Sequence, residues 1–193
     1  MNYYDYLKIL PDSIPHQTLK YFYDMREGVR VEATTTSNFE SFNVNRIYRN
    51  TDWIKLSTDD VNNLYGAFKL LYEKEVQPHY SVRVVGGEPP QYLYYGIGGK
   101  YDVHNDSESY LEGELTRVAP RDISMIAYIN DDYEGGELEF DKLQITIKPK
   151  RGMVICFPSY DDFSHVVHPV TKGTRLSLVS WFETDERIYS RPY

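Results

Sequence analysis

From Gln91 onward the sequence takes on the period of β-strands, and that run constrains the fold more than any other feature. A strand sends successive side chains to opposite faces, so short stretches of alternating or continuous apolar residues between turn signals mark it. The stretches that read this way are Gln91–Tyr95, Asp102–Asn105, Leu115–Val118, Ser124–Asn130, Glu137–Phe140, Leu143–Ile147, Met153–Phe157, Ser164–Val167 and Arg175–Phe182. Turn material joins them, including Asp131–Gly136 and Pro149–Gly152. The basic cluster Lys148–Arg151 is a solvated turn.

Before Gln91 the period is different. Leu7 and Ile9 begin a short strand, and Asp12 or Ser13 caps a helix with Pro15 in its first turn. Ile14, Thr18, Leu19, Phe22 and Met25 share one face of that helix, and Gly28 stops it. Residues 29 to 56 are polar and irregular, with short strands predicted at Val29–Val31 and Asn45–Tyr48. A second helix starts at Ser57 or Thr58, carries Asp59 and Asp60 in its first turn, and keeps an apolar stripe from Val61 to Val76. Pro78 is expected to end it. Two helices followed by many short strands predict an α+β, mainly β chain: a double-stranded β-helix, or jelly roll, with the N-terminal helices packed outside. The expected organisation is a single domain over residues 1–193, with helical support in 1–90 and the jelly-roll core in 91–183.

Composition excludes several partners. The formal net charge is -8, which argues against nucleic acid, whose phosphates require clustered Lys and Arg. No apolar run is long enough to span a membrane, and the start Met1–Tyr6 lacks the basic and apolar parts of a secretory leader. A reducing, cytoplasmic setting is therefore expected. The lone cysteine, Cys156, lies in the apolar run Met153–Phe157 and reads as a small core residue. The 19 tyrosines are mostly sheet residues, although tyrosine-rich grooves also bind extended peptides.

The chemistry centres on Tyr94–Asp106, which ends in His104 and Asp106. If this segment is extended, both side chains point to one face. An imidazole nitrogen and a carboxylate oxygen then supply part of the 2-His-1-carboxylate set that holds non-haem Fe(II) and leaves positions open. The bare pair is weak evidence, because a surface loop produces it readily. A second histidine is available at His165 or His168; three apart in an extended segment, they face opposite sides, so at most one faces the site. Arg175, ten residues after His165, begins the next strand, where its guanidinium can pair bidentately with a carboxylate.

Tyr95–Asp106 closely resembles the first-ligand segment of the prolyl 4-hydroxylases of the Fe(II)/2-oxoglutarate dioxygenase superfamily. Ile126–Asn130 with Glu134–Phe140 resembles the family's next two strands, and Lys150–Pro158 with His165–Val170 resembles its distal-ligand region. The similarity runs from about Tyr92 to Phe182, with the blocks in order. It implies His104, Asp106 and His165 as iron ligands, His165 being chosen because the family's distal histidine lies four residues before the Pro of the Pro169–Val170 pair. His168 then falls at a variable position. The resemblance also implies Arg175 and Tyr128 on the far carboxylate of 2-oxoglutarate, Tyr95 lining the site, and Arg121 and Trp181 flanking a target proline. Arg rather than Lys at position 175 places the chain nearer the bacterial and oxygen-sensing members. The cofactors implied are Fe(II), 2-oxoglutarate and O2, with ascorbate in support. The implied partner is a proline-containing peptide or protein, hydroxylated at C4 with release of succinate and CO2. Hydroxylation of lysine, of another side chain or of a small molecule uses the same iron motifs, and a non-catalytic jelly-roll binding module is the reading from outside enzymology. The short form looks like bacterial or viral members, which sets the expected location as the cytoplasm of a bacterium or an infected host cell. Residues 29–53 are a candidate mobile loop over the substrate.

Overall fold

A computed structural model describes residues 6–38, 41–43 and 45–187 of the chain. The residues outside these ranges include part of the 29–53 segment expected to form a mobile loop. Two antiparallel sheets face each other. The larger has eight strands, ordered Lys8–Leu10, Val154–Pro158, Ile123–Tyr128, Arg175–Thr184, Gln91–Tyr95, Asp52–Ile54 and Arg30–Glu32, with Val84–Gly87 also paired to Arg175–Thr184. The smaller runs Ile145–Ile147, Leu138–Phe140, His165–Val167, Lys100–His104 and Arg49–Asn50. This is the expected jelly-roll arrangement.

Strand parity divides the core in two. On the large sheet, Met125, Ala127, Val154, Cys156, Leu176, Leu178 and Phe182 face outward into a cluster with Leu19, Phe22, Leu64, Phe68, Tyr72 and Val76 of the helical region. Their neighbours Ile126, Tyr128, Ile155, Phe157, Val179 and Trp181 face inward, against Leu138, Phe140 and Val167 of the small sheet. Arg175–Thr184 is buried along almost its whole length because both of its faces are covered. Odd-numbered residues of that strand face the space between the sheets, and this sends Arg175 and Ser177 inward beside Val179 and Trp181. Cys156 is fully buried, as its apolar run predicts.

The N-terminal half departs from its sequence reading in detail. Helix His16–Asp24 is entered from Pro15, with no side-chain cap from Asp12 or Ser13. The second helix, Thr58–Leu71, starts at Ser57, whose hydroxyl and Asp60 form a reciprocal capping box. Pro78 does not end it. The chain widens into a π-turn over Tyr72–Val76, and Pro78 then lies in the first turn of a new short helix, Gln77–Tyr80, where its missing N–H costs nothing. Asn45–Tyr48 is a turn rather than a strand, and the pairing strands are Arg49–Asn50 and Asp52–Ile54. Leu143 closes a 3-10 turn, so the strand there is only Ile145–Ile147. Several short strands carry too little apolar alternation to be read, among them Thr35–Asn38, Ser41–Asn43, Val84–Gly87, Glu108–Leu111, Glu134–Gly135 and Val170–Lys172. No helix among the described residues is long and apolar enough to cross a membrane.

Candidate metal centre

The small sheet sets His165 directly opposite His104. One ligand atom from each of His104, Asp106 and His165 lies within 4.8 Å of the other two. His104 Nδ1 is 2.8 Å from the carbonyl of Asp102, and His165 Nδ1 is 3.1 Å from that of Phe163. A carbonyl only accepts, so each Nδ1 carries a proton, which leaves each Nε2 to face the site. Tyr101 stacks on the His104 ring at 3.5 Å, and Phe157 packs edge-on against His165 at 4.9 Å. These contacts hold both imidazoles in one orientation.

Asp106 arrives differently from the sequence expectation. The strand stops at His104, so alternation is not what aims the carboxylate. The chain bends, and the N–H groups of Asp106 and Ser107 both donate to the carbonyl of Ser159, each at 3.1 Å. Asn105 secures the bend by accepting from the N–H groups of Ser107 and Glu108. The carboxylate then stands 3.8 Å from His104 Nε2 and 3.9 Å from His165 Nε2. Ser124 donates to its Oδ2 at 2.6 Å and lies 2.8 Å from the hydroxyl of Ser159. These two serines were not identified from the sequence, because only the pairing of Ile123–Tyr128 with Val154–Pro158 brings them together.

Burial alone would raise the Asp106 pKa. The His165 and His104 rings, Arg121 and the Ser124 hydroxyl outweigh it and hold the carboxyl below its usual range. Burial pushes His104 down, and the neighbouring His165 adds to that, so the imidazole is held neutral. Two imidazoles and one carboxylate on one side of a cavity fit a divalent transition metal such as Fe(II) with positions left open. His168 takes no part: its Nε2 is 2.5 Å from Glu139 on the outer side. Ser124→Ala removes the partner that orients Asp106; metal affinity should fall by about 10–100-fold, measured by anaerobic Fe(II) titration.

A cavity of about 390 Å³ opens on the three donors. Arg175 closes its inner end and is only 1% exposed. Its Nε donates to the carbonyl of Gly136 at 3.1 Å, one terminal nitrogen donates to Ser177 Oγ at 3.1 Å, and the other reaches the Tyr128 hydroxyl at 3.4 Å. The guanidinium stacks on Tyr95 at 4.7 Å. Gly136 has φ +67°, and a Cβ there would come within 2.9 Å of Arg175 Cδ, so the turn residue also makes room for the arginine. No carboxylate of the described residues lies within 4.0 Å of Arg175. A buried cation without an acid is costly unless an anion completes it, and the carboxylate of a small co-substrate fits that need.

Arg121 and Trp181 meet at the cavity wall, the guanidinium 3.9 Å above the indole. Arg121 also grips Glu88 through two bonds of 2.5 and 2.6 Å and donates to the Asp106 carbonyl at 3.1 Å. Glu88 was not singled out in the sequence; its partner lies 33 residues away.

The family model described as "2OG-Fe(II) oxygenase superfamily" matches residues 90–183, the span that holds these side chains except Glu88. Residues 90–183 belong to the 2OG-Fe(II) oxygenase superfamily. Over 70 residues this oxygenase-family chain is 43% identical to human prolyl 3-hydroxylase 2, a match covering 34% of the chain and 10% of that protein. It is 32% identical over 141 residues to a PKHD-type hydroxylase of Thermosynechococcus vestitus, covering 71% of the chain and 55% of that protein. The chain thus spans about a tenth of the length of the prolyl 3-hydroxylase and about half of the PKHD-type hydroxylase. Among solved structures, a prolyl hydroxylase of Trichoplax adhaerens, in complex with a peptide fragment of the hypoxia inducible factor oxygen degradation domain, shares the fold. The TM-score is 0.74 at 15% identity, covering 95% of this chain and 86% of that one.

Proposed function

We propose that this oxygenase-family chain hydroxylates a proline within a peptide or protein, using Fe(II), 2-oxoglutarate and O2, with ascorbate as a supporting reductant and residues 1–193 acting as one domain. The observation that carries the reading is one cavity with a three-donor metal face at one side and a buried, acid-free Arg175 at its inner end. His104, Asp106 and His165 would hold the metal. Arg175, with the Tyr128 hydroxyl beside it, would anchor the far carboxylate of 2-oxoglutarate. When bound, Fe(II) and 2-oxoglutarate supply the oxidising chemistry that places one oxygen of O2 on a substrate C–H, with succinate and CO2 as the other products.

The remaining residues bind and orient. Tyr95, its ring 4.7 Å from the Arg175 guanidinium, would keep that fork aimed along the cavity. The inward apolar residues Ile126, Val167 and Val179 line the walls and restrict water. Trp181 gives a flat apolar surface for a pyrrolidine ring, and Arg121 fixes the indole from behind while Glu88 fixes Arg121. The prolyl hydroxylase names of the relatives support proline as the target. The sequence resemblance favours C4 as the carbon attacked; the identity to a prolyl 3-hydroxylase supports C3 as a second reading.

An anaerobic titration of the metal-free chain with Fe(II) and 2-oxoglutarate tests the reading. A weak visible charge-transfer absorption is expected, followed on admission of air by hydroxylation of a proline-containing peptide. No absorption with both components in excess would overturn the proposed function.

A further inference from the structure

Three arginines line the cavity: Arg49, Arg121 and Arg175. Arg175 meets the co-substrate in the reading above, and Arg121 is neutralised by Glu88. Arg49 is left over. It is 7% exposed, and among the described residues its guanidinium makes one hydrogen bond, from a terminal nitrogen to the carbonyl of Thr34 at 2.8 Å. Its Nε is buried with no partner, and no carboxylate of the described residues is within 4.0 Å of it. The guanidinium lies 4.6 Å over the Tyr101 ring, and that ring stacks on His104 at 3.5 Å, so a single aromatic ring separates this charge from a metal-ligand imidazole. The Trp53 ring stands 5.9 Å away, and its Nε1–H is also buried and unpartnered in the same wall. Desolvating a cation with donors left unused is expensive, and a cavity wall tolerates it when a ligand supplies the counter-charge.

We infer that Arg49, with the Trp53 N–H beside it, receives a carboxylate of the substrate, so that the chain selects substrates with an anionic group close to the hydroxylated carbon. The inference rests on the hydroxylase reading and adds to it the charge of the substrate. The carboxylate belongs either to an acidic side chain next to the proline or to the α-carboxylate of a terminal proline. Both present the same two oxygens to the guanidinium fork. Arg49 is here a substrate-specificity residue, separate from the metal ligands and from Arg175.

The test uses the full chain under anaerobic conditions, loaded with Fe(II) and saturating 2-oxoglutarate. The probes are matched pairs: acetyl-Gly-Pro with a free carboxylate or an amide end, and acetyl-Gly-Pro-Glu-Gly-amide against its Gln counterpart. Dissociation constants come from calorimetry. In the wild type, the carboxylate member of at least one pair should bind about tenfold or more tightly than its neutral partner. The pair that discriminates identifies the source of the carboxylate. In Arg49→Gln the same ratio should collapse toward one, and Arg49→Lys should keep part of it. The ratio is taken within each variant, so a general loss of binding cancels. The wild-type arm decides alone should Arg49→Gln not fold. Equal binding within both pairs, no binding of any probe, or a preference that persists in Arg49→Gln would overturn the inference. So would a loss of 2-oxoglutarate affinity in Arg49→Gln with the probe preference intact, which would assign Arg49 to the co-substrate. Because 2-oxoglutarate binding is measured first, its absence marks failure of the hydroxylase reading, and its presence with no probe preference marks failure of this inference only.

Discussion

Asp106→Ala is expected to abolish Fe(II)-dependent turnover and to weaken Fe(II) binding by more than about 100-fold, beyond the loss seen when only an outer partner of a ligand is removed. Asp106 is the only anion in the three-donor set, and the rest of the set is two imidazoles. His104 is held neutral by its burial, so the carboxylate alone offsets the metal's charge in a dry site. The protein also prepares that carboxylate in advance: Ser124 and the two rings hold it ionised, and the bend on Ser159 fixes its position. Anaerobic Fe(II) titration with a turnover assay checks this. His165→Ala should fail in the same assay, since its Nε2 is the donor supplied by the facing strand. Full activity in either variant would refute the ligand assignment.

Arg175→Met separates binding from stability. In the wild type the guanidinium is buried among hydroxyls and a carbonyl, with no acid of the described residues beside it. Two charge-assisted bonds to a carboxylate contribute about 1.5–3 kcal/mol each, so their loss should weaken 2-oxoglutarate by more than about 100-fold. The apo variant should nevertheless unfold at the wild-type temperature or above, because methionine fills similar space without a charge to desolvate. With Fe(II) present and oxygen absent, 2-oxoglutarate at about 100 times its Kd should stabilise the wild type by about 2.7 kcal/mol, or about 5–10 °C for a chain of this size. That increment should vanish in Arg175→Met. A variant that keeps it would show that Arg175 does not hold the co-substrate.

The strands that carry Tyr95, Tyr128, Arg175 and Trp181 were legible in the sequence, but not the face each side chain takes, because Ile123–Tyr128 and Arg175–Thr184 are buried on both faces and do not alternate. The capping pair Ser57 and Asp60 was equally local, since both partners sit within one turn. The π-turn at Tyr72–Val76 was not, because a proline in a helical pattern signals an end, and only packing of Tyr72 and Val76 into the outer cluster keeps the chain helical through it.

The sequence by itself determined the strand-rich core and the helices packed outside it, because these follow from periods of two and 3.6 residues, and its motifs named the residue types brought to the site. Tertiary structure alone decided how the groups converge. Asp106 is aimed by a bend held on Ser159, in another strand's loop, and Ser124 reaches it from a third. Arg49 lies in a polar stretch without periodicity, and its burial depends on pairing with Tyr101 far along the chain. Contacts between residues distant in sequence leave no periodic trace, and in this chain they set the charge that the cavity presents to its ligands.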